Sequence, residues 1–233
     1  MATQKLNPEG LLGVKLGMTQ VYDSEGQSIP VTIIQTGPCV VLDVKNQGKH
    51  GYSAVQLGIE ARKNQRVNRA QMGHFAKAGK GAFYHVKEMR CDVEALGWNT
   101  VGQEVKATEI FTDGDTVDIS GISKGRGFSG VVRRHKVKGQ PSTRGTHETR
   151  RNIGSIGCRK FPGRVFKGQR MPGQMGNADV TIQNITLVSV RPDDNVILVK
   201  GGIPGPTGSV VMVRKAMKGY KSLEARKETK AAA

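Results

Sequence analysis

The chain has 233 residues, of which 36% are hydrophobic, and a formal net charge of +17. It can therefore bury a core, while its excess charge is tolerated best beside a polyanion, with nucleic acid as the leading candidate. An anionic membrane surface is the main competitor, but the sequence shows neither a basic amphipathic helix nor a lipidation signal.

Apolar runs and cysteines favour a cytosolic protein without a metal. The longest uncharged run, residues 26–42, is broken by two prolines and does not predict a membrane span. The N-terminus lacks the pattern of a targeting peptide, so we expect the protein to stay where it is made, in the cytoplasm. Cys39, Cys91 and Cys158 are odd in number and far apart, which predicts reduced thiols.

Short apolar runs separated by turn residues predict antiparallel strands along most of the chain. The predicted strand segments are residues 11–22, 28–36, 39–44, 52–59, 83–93, 103–111, 115–120, 179–190, 195–203 and 209–216. The lone Trp98 is predicted to pack on this β-rich body, although an aromatic beside glycine could also stack on a base. Residues 218–233 are polar and predict a frayed tail.

One segment, residues 68–79, has the period of a helix. Met72, Phe75 and Ala76 fall at i, i+3 and i+4 and predict one apolar face. Asn68 and Gln71 are placed as an N-terminal capping pair, and the glycine at position 79 is a stop signal.

Residues 121–177, here called the basic stretch, carry most of the excess charge. They hold 14 Lys and Arg against one acid, Glu148, whereas the rest of the chain holds 22 basic and 18 acidic residues. Twelve glycines and three prolines deny the basic stretch a continuous helix, and its apolar residues are too few for a core. Predicted strands lie on both sides, so we interpret it as an insertion into a body formed by residues 1–120 and 178–217. Plain disorder is the alternative to an arm that orders on RNA.

A dinucleotide-binding fingerprint is present only in part. Gly125, Gly127 and Gly130 match the spacing and follow a predicted strand. The next residues are basic on almost every face and stop at Gly139, so they do not form the helix that a Rossmann turn needs. A flexible turn that contacts phosphates is the better interpretation.

The remaining candidate clusters do not predict a metal site. Asp113, Asp115 and Asp118 start like a calcium loop but lack its later ligands, which favours a hairpin turn. Three potential metal ligands lie among cations that would repel a metal ion, and we assign them to RNA contact or packing: His135, His147 and Cys158.

Several motifs, in a fixed order along nearly the whole chain, resemble one family, the universal third protein of the large ribosomal subunit in its bacterial-length form. The matching stretches are GVKLGMTQVY from Gly13, SIPVTII from Ser28, GHFAKAG from Gly73, DISGISKGRGFSGVVRRH from Asp118, GSIGCRKFPGRVFKGQRMPGQMGN from Gly154 and KGGIPGPTGS from Lys200. Such an ordered set is far more specific than any single glycine motif.

The resemblance implies a mainly β fold, namely a translation-protein-type β-barrel with a small α+β insertion at about residues 60–110 and a long irregular basic arm. It implies a place on the solvent side of the large subunit, with the arm, residues 123–177, threaded through ribosomal RNA toward the peptidyl transferase centre and its tip near residues 156–162. Some bacterial members carry a methylated glutamine in that tip, whereas this sequence has Lys160, so the modification is not carried over.

We therefore expect a non-enzymatic structural protein of the large subunit that binds 23S-type rRNA directly, supports early assembly and touches neighbouring ribosomal proteins. No cofactor, small-molecule substrate or membrane is expected. The alternatives are an RNA-binding assembly or regulatory factor that leaves the ribosome, and a flavin or nicotinamide enzyme on a similar barrel. The predicted rRNA-binding residues are Lys124, Gly125, Arg126, Gly127, Arg133, Arg134, His135, Lys136, Lys138, Arg144, Arg150, Arg151, Arg159, Lys160, Arg164, Lys167 and Arg170.

Overall fold

A computed structural model describes residues 9–91, 98 and 100–218. The chain divides into two compact units: Met1–Ile122 with Asp179–Ala233, here called the body, and Ser123–Ala178, here called the basic unit. The predicted mainly β fold is confirmed. Within the described ranges no helix is long and apolar enough to cross a membrane.

The described secondary structure consists of twelve strands and short helices. The strands are β1 (Gly10–Tyr22), β2 (Ser28–Gln35), β3 (Cys39–Lys45), β4 (Ala54–Arg62), β5 (Ala82–Met89), β6 (Glu104–Val105), β7 (Thr116–Ile122), β8 (Gly127–Ser129), β9 (Gly173–Met175), β10 (Asp179–Arg191), β11 (Val196–Lys200) and β12 (Val210–Lys215). The α-helices are α1 (Gln47–His50), α2 (Arg69–Ala76) and α3 (Val131–His135), and 3₁₀ turns cover Asn64–Arg66 and Ala107–Glu109.

Six strands of the body close into an antiparallel barrel in the order β1, β12, β7, β10, β11, β2. The β-branched runs of β7, β11 and β12 place Val117, Ile119, Ile197 and Val213 in its interior, where each side chain is fully buried. Closure pairs both edges of every barrel strand and so removes the free edges of an open sheet. The predicted barrel is confirmed.

A second, four-stranded sheet of the body has the order β5, β4, β3, β6. Because successive side chains alternate between its faces, Val41 and Val55 join the barrel core while Val40 and Leu42 pack in a smaller cluster with Phe83. The described residues of the body therefore form two apolar clusters: a main core that the barrel shares with the four-stranded sheet, and a smaller cluster around Phe83.

Helix α2 covers the smaller cluster. Its predicted cap is confirmed, since the Asn68 side chain accepts a hydrogen bond from the Gln71 backbone amide at 2.9 Å. The predicted apolar face is wrong, because Met72 and Ala76 are exposed and only Phe75 is buried. The helix is short and meets the sheet at its C-terminal turn, where the Phe75 and Phe83 rings lie 6.0 Å apart edge to face.

The segment after Trp98 contains one strand prediction that is wrong. Of residues 103–111 only Glu104–Val105 are a strand, followed by the 3₁₀ turn, because Ala107, Ile110 and Phe111 are all buried at a spacing that a strand cannot bury on one face. Trp98 itself is buried in the main core, as predicted. The predicted strand 83–93 ends at Met89, and residues 92 and 93 lie outside the described residues.

Two aspartates, one just before β7 and one within it, accept hydrogen bonds from backbone amides. The Asp115 carboxylate accepts from the Thr112 amide at 3.0 Å, and the Asp118 carboxylate accepts from Asn184 at 2.9 Å and from Met217 at 3.3 Å. Both aspartates are buried. The predicted turn is present, but it joins a 3₁₀ turn rather than a strand to β7.

A buried lysine fastens the loop between β11 and β12 to β1. Lys15 Nζ donates to the carbonyl oxygens of Ile203 and Gly205, each at 3.0 Å. The Lys15 backbone amide donates to Ser209 at 3.0 Å, and its carbonyl accepts from Gly208 at 2.7 Å. Since the ammonium is taken from water, these carbonyls replace its hydration.

We expect Lys15→Met to lower the free energy of unfolding by about 2–3 kcal/mol, because it leaves two carbonyls without their charged donor. The measurement is urea unfolding followed by Trp98 fluorescence. Lys80→Met is the matched control; it removes the exposed Lys80–Glu104 ion pair and should change stability by less than about 0.5 kcal/mol. Equal effects of the two substitutions would contradict the role given to Lys15.

Candidate nucleic-acid interface

Backbone hydrogen bonds join the two ends of the basic unit. The Ser123 amide donates to the Ala178 carbonyl at 2.9 Å, and the Asn177 amide donates to the Ser123 carbonyl at 3.1 Å. Gly176 has φ +73°, and a Cβ there would overlap the Lys124 carbonyl oxygen, so only glycine fits. The two ends of a 56-residue segment are therefore paired along their first and last residues.

A short ladder and a single helical turn continue this pairing. In the ladder of β8 and β9, Phe128 lies opposite Gln174. Helix α3 follows β8 directly and buries Val131, which is the one buried hydrophobic residue among the described residues of the basic unit. The basic unit thus depends on backbone hydrogen bonds much more than on a core.

Two predicted RNA-contacting residues also stabilise the basic unit itself. Arg134 Nη1 donates to the Met171 carbonyl at 2.9 Å, and His135 Nε2 lies 3.1 Å from the same oxygen. A Cβ at Gly173 would lie 2.6 Å from Arg134 Nη1, so the glycine makes room for the guanidinium. The partner carbonyl is 36 or 37 residues away along the chain, and no sequence signal could have identified it.

The cations of the basic unit are exposed, and none of them is paired with an acid among the described residues. All 14 Lys and Arg side chains are solvent-exposed. None forms a salt bridge to any residue within the described part of the chain. The ion pairs between described residues all lie in the body, namely Lys45–Asp43, Lys80–Glu104, His85–Glu60 and Lys215–Glu9. The charge of the basic unit is therefore left for solvent ions or for a partner.

The cations are spread along the sequence of the basic unit, with equal numbers before and after Glu148. Those that precede the midpoint near Glu148 are Lys124, Arg126, Arg133, Arg134, Lys136, Lys138 and Arg144, and those that follow it are Arg150, Arg151, Arg159, Lys160, Arg164, Lys167 and Arg170. A series of this kind suits a polyanion with regularly spaced charges better than a single small anion.

The partial dinucleotide fingerprint forms no cofactor turn. Gly127 starts β8, and Gly130 precedes helix α3, which has only five residues. The Arg126 amide donates to the Met175 carbonyl at 2.8 Å, so this amide is already used inside the unit. Gly125 and Gly127 remain exposed beside the cations, as a turn near phosphates requires.

His147 and Cys158 are exposed and lie in separate segments of the basic unit. Across residues 9–91, 98 and 100–218, no three His, Cys, Asp or Glu side chains come together as metal ligands. The other two cysteines lie in the body, where burial raises the pKa of the Cys39 thiol to about 12. Its Sγ lies 3.4 Å from the Leu12 carbonyl oxygen.

A closed antiparallel barrel with an inserted, cationic and glycine-rich unit defines a basic β-barrel protein suited to a polyanionic partner. The family model described as ribosomal protein L3 matches residues 91–195, which include the whole basic unit. The chain is also similar to proteins named large ribosomal subunit protein uL3. It is 50% identical to that of Acidothermus cellulolyticus over 91% of the chain and 94% of the relative.

Further relatives have the same name. The protein of Syntrophotalea carbinolica is 47% identical over 90% of this chain and 99% of its own length, and that of Brachyspira hyodysenteriae is 48% identical over 90% and 94%. The chain belongs to the uL3 family of large-subunit ribosomal proteins. This is a family of structural proteins, and the chain is not an enzyme.

Thiol reactivity should separate Cys158 from the buried cysteines. With Ellman's reagent at pH 8 we expect one fast equivalent from the folded protein and three in urea, because Cys39 remains a neutral, buried thiol well below pH 12. Cys158→Ser should abolish the fast phase, and Cys91→Ser should keep it. Two fast equivalents in the native protein would contradict the described burial.

Proposed function

We propose that the chain is a structural constituent of the large ribosomal subunit, in the cytoplasm, and binds large-subunit rRNA directly through the basic unit. The observation that supports this most strongly is that all 14 cations are exposed and none forms an ion pair with any residue that the structure describes. Phosphates neutralise such cations and release counterions, which favours binding.

Two groups of cations make the phosphate contacts in this proposal. Those near the start of the basic unit are Lys124, Arg126, Arg133, Arg134, Lys136 and Lys138, and those near its tip and return are Arg159, Lys160, Arg164, Lys167 and Arg170. Arg144, Arg150 and Arg151 lie between them. Glycines such as Gly157, at φ +155°, let the backbone approach the RNA. Phosphate geometry and groove shape are read more than base edges.

The basic unit acts as an arm that extends toward the peptidyl transferase centre, with its tip at residues 156–162. The body docks the protein and contacts neighbouring ribosomal proteins, and binding occurs early in assembly. Membership in the uL3 family supports the place in the large subunit. The exposed charge along the whole unit supports burial of the arm in rRNA rather than contact at one point.

Salt dependence tests the electrostatic part of the proposal. We expect log K for large-subunit rRNA to fall by several units per tenfold rise in salt, at about 0.7–0.9 per neutralised phosphate. Arg159→Gln with Lys160→Gln should reduce the slope by about 1.5. The measurement is filter binding of purified protein across a salt series.

The matched control replaces two exposed body lysines, Lys49→Gln with Lys87→Gln, and should leave the slope unchanged. Deletion of residues 125–173 should flatten the slope, while circular dichroism still shows cooperative melting of the body. An unchanged slope after the deletion would refute the role of the basic unit.

The position of the tip can be tested with Cys158, which is exposed and adjacent to Arg159. An iron chelate attached to this thiol in a Cys39→Ala, Cys91→Ala background should cleave rRNA in the peptidyl transferase region of reconstituted large subunits. The control carries the chelate on Lys49→Cys in the Cys158→Ser version of that background and should cleave elsewhere. Cleavage from Cys158 only at the outer surface of the subunit would rule out this path of the arm.

A further inference from the structure

The six phenylalanines of the chain divide sharply between the two units. In the body, Phe75, Phe83 and Phe111 are 2–7% exposed. In the basic unit, exposure is 78% for Phe128, 88% for Phe161 and 62% for Phe166. Every phenylalanine of the basic unit is therefore presented to solvent, which phosphate binding alone does not explain.

Each exposed ring lies beside cations in the sequence. Phe128 follows Arg126 by two residues, Phe161 comes directly after Lys160, and Phe166 comes directly before Lys167. The one acid of the basic unit, Glu148, is 13 residues or more from all three rings. An apolar protein surface that covered the rings would also have to cover these charges without neutralising them, which is unfavourable. RNA offers phosphates for the cations and π faces for the rings at the same place.

In the case of Phe128, the backbone determines which way the exposed ring points. Phe128 is the middle residue of β8, opposite Gln174, and the next residue, Ser129, is buried. Because neighbouring strand residues point to opposite faces, burial of Ser129 turns the Phe128 ring outward. The ring is thus positioned before any partner binds, which reduces the entropy lost on binding.

We propose that Phe128, Phe161 and Phe166 stack on unpaired nucleobases of the RNA that the basic unit binds. This inference rests on the proposed function and adds a second kind of contact to it: the cations bind phosphates, and the rings bind bases in loops or bulges. Stacking is tolerant of sequence because every base has a π face. It selects single-stranded segments, because bases inside a duplex already stack on each other.

Replacement of the rings by leucine tests the proposal, with a full-length transcript of large-subunit rRNA as the probe. Each single variant, Phe128→Leu, Phe161→Leu or Phe166→Leu, should weaken binding about fivefold, and the triple variant about 100-fold. The salt slope should stay unchanged, because no cation is lost. Tyr22→Leu, which removes an exposed aromatic of the body, is the matched control and should have no effect.

Two further measurements separate stacking from general apolar contact. On a perfect RNA duplex without unpaired bases, the leucine variants should bind as the parent protein does. Unlike Phe161→Leu, the Phe161→Trp variant should bind the rRNA transcript as tightly as the parent protein does. The fluorescence of the new tryptophan should be quenched on binding, while the buried Trp98 contributes a constant background. Circular dichroism checks that every variant keeps its fold, as expected for exposed positions.

The outcomes distinguish this inference from the function on which it rests. If the leucine variants bind the transcript as tightly as the parent, with the same steep salt slope, stacking is wrong and phosphate binding stands. If they bind the transcript normally but lose a neighbouring ribosomal protein from reconstituted particles, the rings face protein, and stacking is again wrong. If the parent shows no salt-dependent RNA binding, the proposed function itself fails.

Discussion

The charge imbalance of the basic unit is the constraint on which the organisation of the chain depends. Fourteen cations share 56 residues with a single carboxylate, so no rearrangement within the unit could neutralise more than one of the 14 positive charges. Repulsion among like charges opposes compaction, and it is relieved only by ions or a partner from outside. The body has nearly balanced charge and contains all the ion pairs of the described residues. The two units therefore differ in what stabilises them.

The basic unit is stabilised mainly by hydrogen bonds to its backbone rather than by an apolar core. The pairing of Ser123 with Ala178, the short ladder of β8 and β9, and the contact of Arg134 with the Met171 carbonyl need little apolar burial. The barrel, in contrast, is stabilised by apolar burial, since its closed strands enclose a continuous apolar core. Charge that would weaken a core is thus kept where no core is required.

Features that depend on local pattern could be predicted from the sequence, whereas features that depend on distant partners could not. The cap at Asn68 and the exposed cations follow from neighbouring residues and composition. The apolar residues before Phe111 have the composition of a strand, and only the core that they enter makes them a 3₁₀ turn. The bonds of Lys15 and Asp118 span 66 to 190 residues, so their roles became visible only in the fold.

We propose that rRNA neutralises the basic unit along its length. A density map of the intact large subunit with this chain in place tests it most directly. We expect phosphates within salt-bridge distance of most cations from Lys124 to Arg170, on both halves of the unit. A map in which the basic unit lies in solvent, or against protein with its cations far from phosphate, would contradict it.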